Sequence, residues 1–250
     1  MFFSIIKKIR SGMYFAVVAA LLTVALSICV LSSAFLLNED AVDAIAPAFS
    51  GAQGRIVVID AGHGGEDCGA IGINGKYEKD LNLEMSRILG GYLQKAGYAV
   101  VYTRTEDKML YTEDQNIKGF RKIYDLKNRV AMANDFPDAI FERLHMNSFA
   151  EEKYSGLQVY YSLLNEKSAL LAESIQEEVR ARTQPQNSRR IKEGGGIYVM
   201  ENIESVGVLI ECGFLSNANE CEKLSEKEYQ KELCFAILCG IIEYERNKQI

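Results

Sequence analysis

From residue 55 onward the apolar positions follow two alternating patterns. Short unbroken or alternating apolar runs read as strands: RIVVID (55–60), YAVVYT (98–103), AIFERLHM (139–146), LQVYYS (157–162), GIYVM (196–200) and VGVLIE (206–211). Between them the apolar spacing changes to helical. Leu81, Met85, Ile88, Tyr92 and Ala96 form one stripe in LNLEMSRILGGYLQKAG (81–97), which Gly97 ends. Further helices are predicted over Phe120 to Asn134, Glu166 to Arg182 and about Glu226 to Tyr244. Strands alternating with helices predict an α/β domain. Its central sheet would be mostly parallel or mixed, of about six strands, with helices on both faces.

The first 54 residues follow neither pattern. Met13 to Leu37 is uncharged throughout and long enough to cross a bilayer. Lys7, Lys8 and Arg10 precede it, and Glu39 and Asp40 follow, which orients the rest of the chain outward. A cleaved signal peptide is the rival reading, with small-residue patterns at Ser32-Ser33-Ala34 and Ala44-Ile45-Ala46. The length of the apolar run favours an uncleaved anchor, and either reading exports the chain. Residues 38–54, small, polar and proline-containing, read as a tether. The expected organisation is therefore a cytoplasmic stub and membrane anchor (1–37), a linker (38–54) and one catalytic domain (55–250).

Charge narrows the function classes. The chain carries 28 basic and 34 acidic residues. With the three basic residues of the leading segment set aside, 25 basic face 34 acidic, a poor match to nucleic acid. Cys68, Cys212, Cys221, Cys234 and Cys239 are an odd number of exported cysteines without CxxC spacing, and they read as buried small hydrophobes.

The chemistry collects at strand ends. RIVVID runs into His63, AIFERL into His145 and VGVLI into Glu211, and these are the only two histidines of the chain. If the three strands are parallel, their carboxyl ends share one sheet edge, where sites form. Two imidazoles and a carboxylate suit a zinc ion with an open position, and a second carboxylate is needed to move protons. Spacing alone leaves the site at even odds against structural histidines. It also leaves the third ligand open among Asp60, Glu66, Asp67, Glu78 and Asp80. Glu78 reads equally as a first-turn acid that favours the helix dipole.

IVVIDAGHGGEDCGAIGINGKYEKDLNL, FERLHMNSF and VGVLIECGFLSNANE resemble, in order, three motifs of the zinc-dependent N-acetylmuramoyl-L-alanine amidases, the amidase type 3 family. The likeness covers essentially residues 55–245. It implies zinc ligands at His63, Glu78 and His145 and a catalytic glutamate at Glu211. The implied reaction is hydrolysis of the amide between the lactyl group of muramic acid and L-alanine of the peptidoglycan stem peptide. TRTEDKMLYTEDQNIKGFRKIYDLKNRVAMAND (103–135), SGLQVYYS and the anchor resemble the sporulation-specific branch. That likeness implies work in the spore cortex beside a partner deacetylase that permits muramic-δ-lactam closure, and leaves open an activating protein.

Three departures matter. Ala61 and Cys68 stand where the family commonly has proline, and Arg143 stands where a small residue, commonly serine, precedes the second histidine. Period-2 alternation puts Arg143 on the side of His145. There it would oppose a metal, meet an anionic substrate, or pair with an acid such as Glu142. Asp60 is expected either to support a ligand histidine or to shape the turn. Cys212 as a nucleophile is weaker than Cys212 as a buried thiol. Arg189, Arg190 and Lys192 read as a solvated basic loop that could meet glycan or peptide carboxylates, and Gly194 to Gly196 as a flexible connection. Two other functions stay open: a non-catalytic wall-binding or scaffold protein, and a zinc peptidase cutting within the stem peptide.

Overall fold

Six strands hydrogen-bond into one sheet in the computed structural model, which describes residues 54–247. They are β1 (Ile56–Ala61), β2 (Ala99–Tyr102), β3 (Ile140–Asn147), β4 (Gln158–Tyr161), β5 (Lys192–Glu193) and β6 (Val206–Phe214), in the order β2-β1-β3-β6-β4-β5. The β2–β1, β1–β3 and β3–β6 pairs are parallel, β6–β4 is antiparallel and β4–β5 is parallel. The sheet is thus mixed, and the three strands carrying the candidate chemistry are adjacent and co-directional. Their carboxyl ends share an edge, as the sequence argument required.

Helices cover both faces. α1 (Glu78–Lys95), α3 (Ser168–Arg182) and α6 (Lys227–Asn247) close the larger core, where Leu81, Met85, Leu89 and Leu93 meet Ile59, Leu144 and Ile210. The α1 stripe sits slightly off the predicted one: Leu89 and Leu93 are buried, whereas Ile88 only packs at the margin. α2 (Arg121–Asn134) and the single-turn α4 (Tyr198–Asn202) cover the other face through Val130, Ala133, Val199 and Met200 against Val58, Phe141 and Leu209. The short α5 (Ala218–Leu224) follows β6, and its N-cap Asn217 side chain accepts from the Glu220 N–H.

One predicted strand is not a strand. GIYVM (196–200) enters α4, because one helical turn buries Val199 and Met200 together. A five-residue apolar run does not distinguish the two conformations. The sixth strand is instead the two-residue β5, too short to leave a pattern. The anchor expected over residues 1–37 and all of the linker but Gly54 lie outside the described residues. Among the described residues no helix is long and apolar enough to cross a membrane. All five cysteines there are free, and four are buried.

Candidate metal centre and catalytic site

The turn after β1 is built around His63. Among the described residues it is the one non-glycine with positive φ, 61°, a left-handed backbone that points its ring back over the strand ends. Two glycines make room. A Cβ on Gly62 would lie 2.1 Å from His145 Nε2, and one on Gly69 (φ 67°) would lie 2.5 Å from Glu78 Oε2. Buried arginines hold the turn's carbonyls. Arg104 donates to the carbonyls of Ala61 (2.9 Å) and Gly62 (3.0 Å), and Arg129 to those of Ala61 (2.8 Å) and His63 (2.7 Å).

His63, Glu78 and His145 converge. Glu78 Oε1 lies 3.2 Å from His63 Nε2 and 2.8 Å from His145 Nδ1, and one ligand atom from each residue lies within 4.8 Å of the others. Tetrahedral bonds of about 2.0–2.1 Å separate donor atoms by about 3.3–3.4 Å, so the three approach the spacing an ion would impose. The donor set also fits zinc chemically. His63 Nδ1 lies 2.9 Å from Asp67 Oδ2, an ion-pair contact without hydrogen-bond alignment, on the side where a metal-binding imidazole takes its carboxylate support, while Nε2 faces Glu78. His145 Nε2 is buried against Gly62 without a hydrogen-bond partner. The structure therefore groups the expected trio, and Asp67 fills the supporting role considered for Asp60.

The charges are set by these contacts. Burial opposes a proton on His63, but Asp67 and Glu78 outweigh it and push the ring up to about 9. Burial and the Arg143 cation push His145 down to about 4 despite Glu78. Burial alone would raise Glu78, yet hydrogen bonds from both histidines hold it far below the carboxylate range.

Glu211 lies directly across the β3–β6 pair from His145 and projects from the same face. Its Oε2 is buried without a partner, and burial, reinforced by the charge of Glu78, pushes its carboxyl up to about 8. The pairing slips immediately after it: His145 pairs with Glu211, but Asn147 pairs with Phe214, so β6 carries one extra residue. Such a bulge ends regular pairing and re-aims the strand beside the site. Cys212 points to the opposite face into the core, where burial drives its thiol pKa well up, and it is no nucleophile.

Arg143 shares the His145 face, as alternation required, but its partner is not Glu142, which enters the opposite core. Arg143 pairs with Asp60, which also accepts from Arg129 and from the Thr103 hydroxyl (2.6 Å). Burial would raise Asp60, but the two guanidiniums hold it far below the usual range. Asp60 is thus a buried counter-charge, neither a histidine support nor a turn former. Arg104 and Arg129 left no mark in the sequence pattern, and Asp67 stood there only as one of five candidate ligands, not as the partner of His63. The arginines bind the turn from at least 42 and 66 residues away, and the available hint was that a buried Asp60 needs cations.

This arrangement of strand-end histidines and carboxylates matches a known family. The family model described as N-acetylmuramoyl-L-alanine amidase matches residues 57–243, and the chain belongs to that family of peptidoglycan-cleaving enzymes. Its relatives include the germination-specific N-acetylmuramoyl-L-alanine amidase of Bacillus subtilis, 37% identical over 197 residues, 78% of this chain and 82% of the relative. Among solved structures, the CwlD amidase from Clostridioides difficile in complex with the GerS lipoprotein is 35% identical. It covers 76% of this chain and 98% of that one, with a TM-score of 0.73. An N-acetylmuramoyl-L-alanine amidase from Clostridium difficile 630 is 28% identical, covering 78% and 99% of the two chains, with a TM-score of 0.68.

Proposed function

We propose that this amidase is zinc-dependent, with His63, Glu78 and His145 as ligands and Glu211 as acid–base catalyst. Its substrate is the amide joining the muramic lactyl group to L-alanine of the stem peptide. The convergence of His63 Nε2 and His145 Nδ1 on one oxygen of Glu78 supports this reading most directly. When bound, zinc supplies a Lewis acid for the carbonyl and lowers the pKa of water to about 7. Glu211 takes the proton of the attacking water and delivers it to the leaving L-alanine nitrogen as the C–N bond breaks. Asp67 fixes the orientation of His63, and Gly62 admits His145 to the strand edge. The Asp60–Arg129–Arg143 cluster balances charge beneath the site.

The similarity to a germination-specific amidase supports work in the spore cortex, upstream of muramic-δ-lactam formation with a deacetylase. The relative solved with a lipoprotein supports an activating protein partner. Residues 1–37 would anchor the enzyme on the outer side of the membrane and 38–54 tether it, leaving 55–250 free to reach the wall.

Glu211→Gln is expected to retain zinc at wild-type stoichiometry and lose turnover by roughly 10²–10⁴-fold. His63→Ala is expected to lose both. Metal analysis of the purified variants beside muropeptide turnover checks this, and near-normal turnover of the glutamine variant would remove Glu211 as the base.

A further inference from the structure

The strand order puts His145 on one flank of Glu211 and Gln158 on the other. Gln158 on β4 pairs directly with Glu211 on β6, so the three side chains project from one face. Beyond Gln158 opens a cavity of about 780 Å³, walled by the start of β4, the turn after α3 and the start of α5. That volume accommodates a peptide of a few residues.

The lining is cationic in an otherwise acidic chain. Lys153, Arg189, Lys192 and Lys223 face one acid, Glu220. Both oxygens of Glu220 are occupied internally, accepting from the Gly156 N–H (2.7 Å) and the Phe214 N–H (2.9 Å). Arg189 is held in place. Its Nε donates to the Ser155 carbonyl (2.7 Å), its Nη1 donates to Gln158 Oε1 (3.2 Å), and its guanidinium lies 4.5 Å from the ring centroid of Phe214. Phe214 stands three residues beyond Glu211 on the same strand. Among the described residues no hydrogen bond engages Arg189 Nη2. A guanidinium fixed in this way presents its remaining donors to an anion without first losing side-chain entropy.

We propose that this cavity is the stem-peptide subsite and that Arg189 binds a carboxylate of the peptide whose amide is cleaved beside Glu211. The inference rests on the amidase reading above. An N-acetylated glycan whose lactyl groups are still amide-linked is uncharged and gains nothing from four cations, whereas a stem peptide carries carboxylates beyond its L-alanine. Arginine matches a carboxylate in a planar fork, and the lysines add screened attraction. Arg189 is a specificity-determining residue here, taking no part in the bond-breaking step.

The test uses the zinc-loaded enzyme and two muropeptides that differ only in having stem-peptide carboxylates free or amidated. Wild type is expected to prefer the free acid by about tenfold or more in kcat/KM, through KM. In Arg189→Gln that preference collapses toward one, the loss falling on KM for the acid substrate. A variant that loses the same factor on both substrates would overturn the subsite, since a purely structural Arg189 behaves so. Because Arg189 also braces Ser155 and Gln158, Lys192→Gln serves as the second variant; its ammonium lies over the Tyr160 ring at 5.9 Å. A smaller but acid-selective loss is expected there, and equal effects on both substrates count against the proposal. Wild type that cleaves both substrates without preference refutes the subsite alone. Wild type that cuts both substrates within the stem peptide refutes the proposed cleavage site and the subsite with it.

Discussion

Gly62 shows how little latitude the proposed metal centre has. A methyl group there would stand 2.1 Å from His145 Nε2. Gly62→Ala is therefore expected to displace the imidazole and weaken zinc binding by about tenfold or more, measured by competitive chelator titration. Arg129 is buried, pairs with both Asp60 and Asp125, and holds two carbonyls of the His63 turn. Arg129→Met leaves Asp60 with less compensation and is expected to cost about 3–5 kcal/mol in urea unfolding. Among single residues, the members of the candidate site were unequally legible. His63 and His145 stood out because the chain has no other histidine and both follow apolar runs. Glu78 came from family likeness, since five acids near His63 were equivalent by spacing. Asp60 and Arg143 were noticed, yet their partnership was hidden because it joins residues 83 positions apart in two adjacent strands.

Elements convert that local chemistry into position. Alternation along β3 sends Arg143 and His145 to the site and Glu142 to the opposite core, where both its oxygens lack partners. Burial pushes Glu142 up to about 8, near Tyr98, Cys212 and Cys234. The folded chain thus keeps a proton that the unfolded chain releases above the ordinary carboxylate pKa of about 4.3. The folding equilibrium should weaken by about tenfold per pH unit from there to about 8, then level off. Glu142→Gln should remove that slope, as the difference between wild-type and variant urea midpoints at pH 5 and pH 8 would show. On the same side of the sheet, Gly240 of α6 approaches α3 so closely that a Cβ would meet Ile175 Cα at 2.5 Å. Gly240→Val is expected to cost about 1–3 kcal/mol by separating those helices, readable as a lowered Tm. Long periodic helices and β-branched runs were legible because their patterns fix which face is buried. GIYVM was misread because five residues support either conformation. The bulge after Glu211 had no pattern beyond a glycine at position 213.

For the whole molecule, the sheet order brings residues 63, 78, 145 and 211 to one edge, a conjunction that no local spacing in the chain records. The α/β architecture with helices on both faces was readable from alternation alone. The order β2-β1-β3-β6-β4-β5 was not, because strand neighbours depend on tertiary packing. The acidic balance of residues 38–250 disfavours polyanions, while the cations gathered beside Glu211 favour the carboxylates of a peptide. Zinc-dependent cleavage at the proposed lactyl–alanine amide is decided by mass spectrometry of peptidoglycan fragments incubated with residues 51–250, with zinc and then with a chelator. Free stem peptides beginning at L-alanine, together with peptide-free muramic acid, are expected in the zinc sample only. Cuts inside the stem peptide, or equal release after zinc is removed, would contradict it.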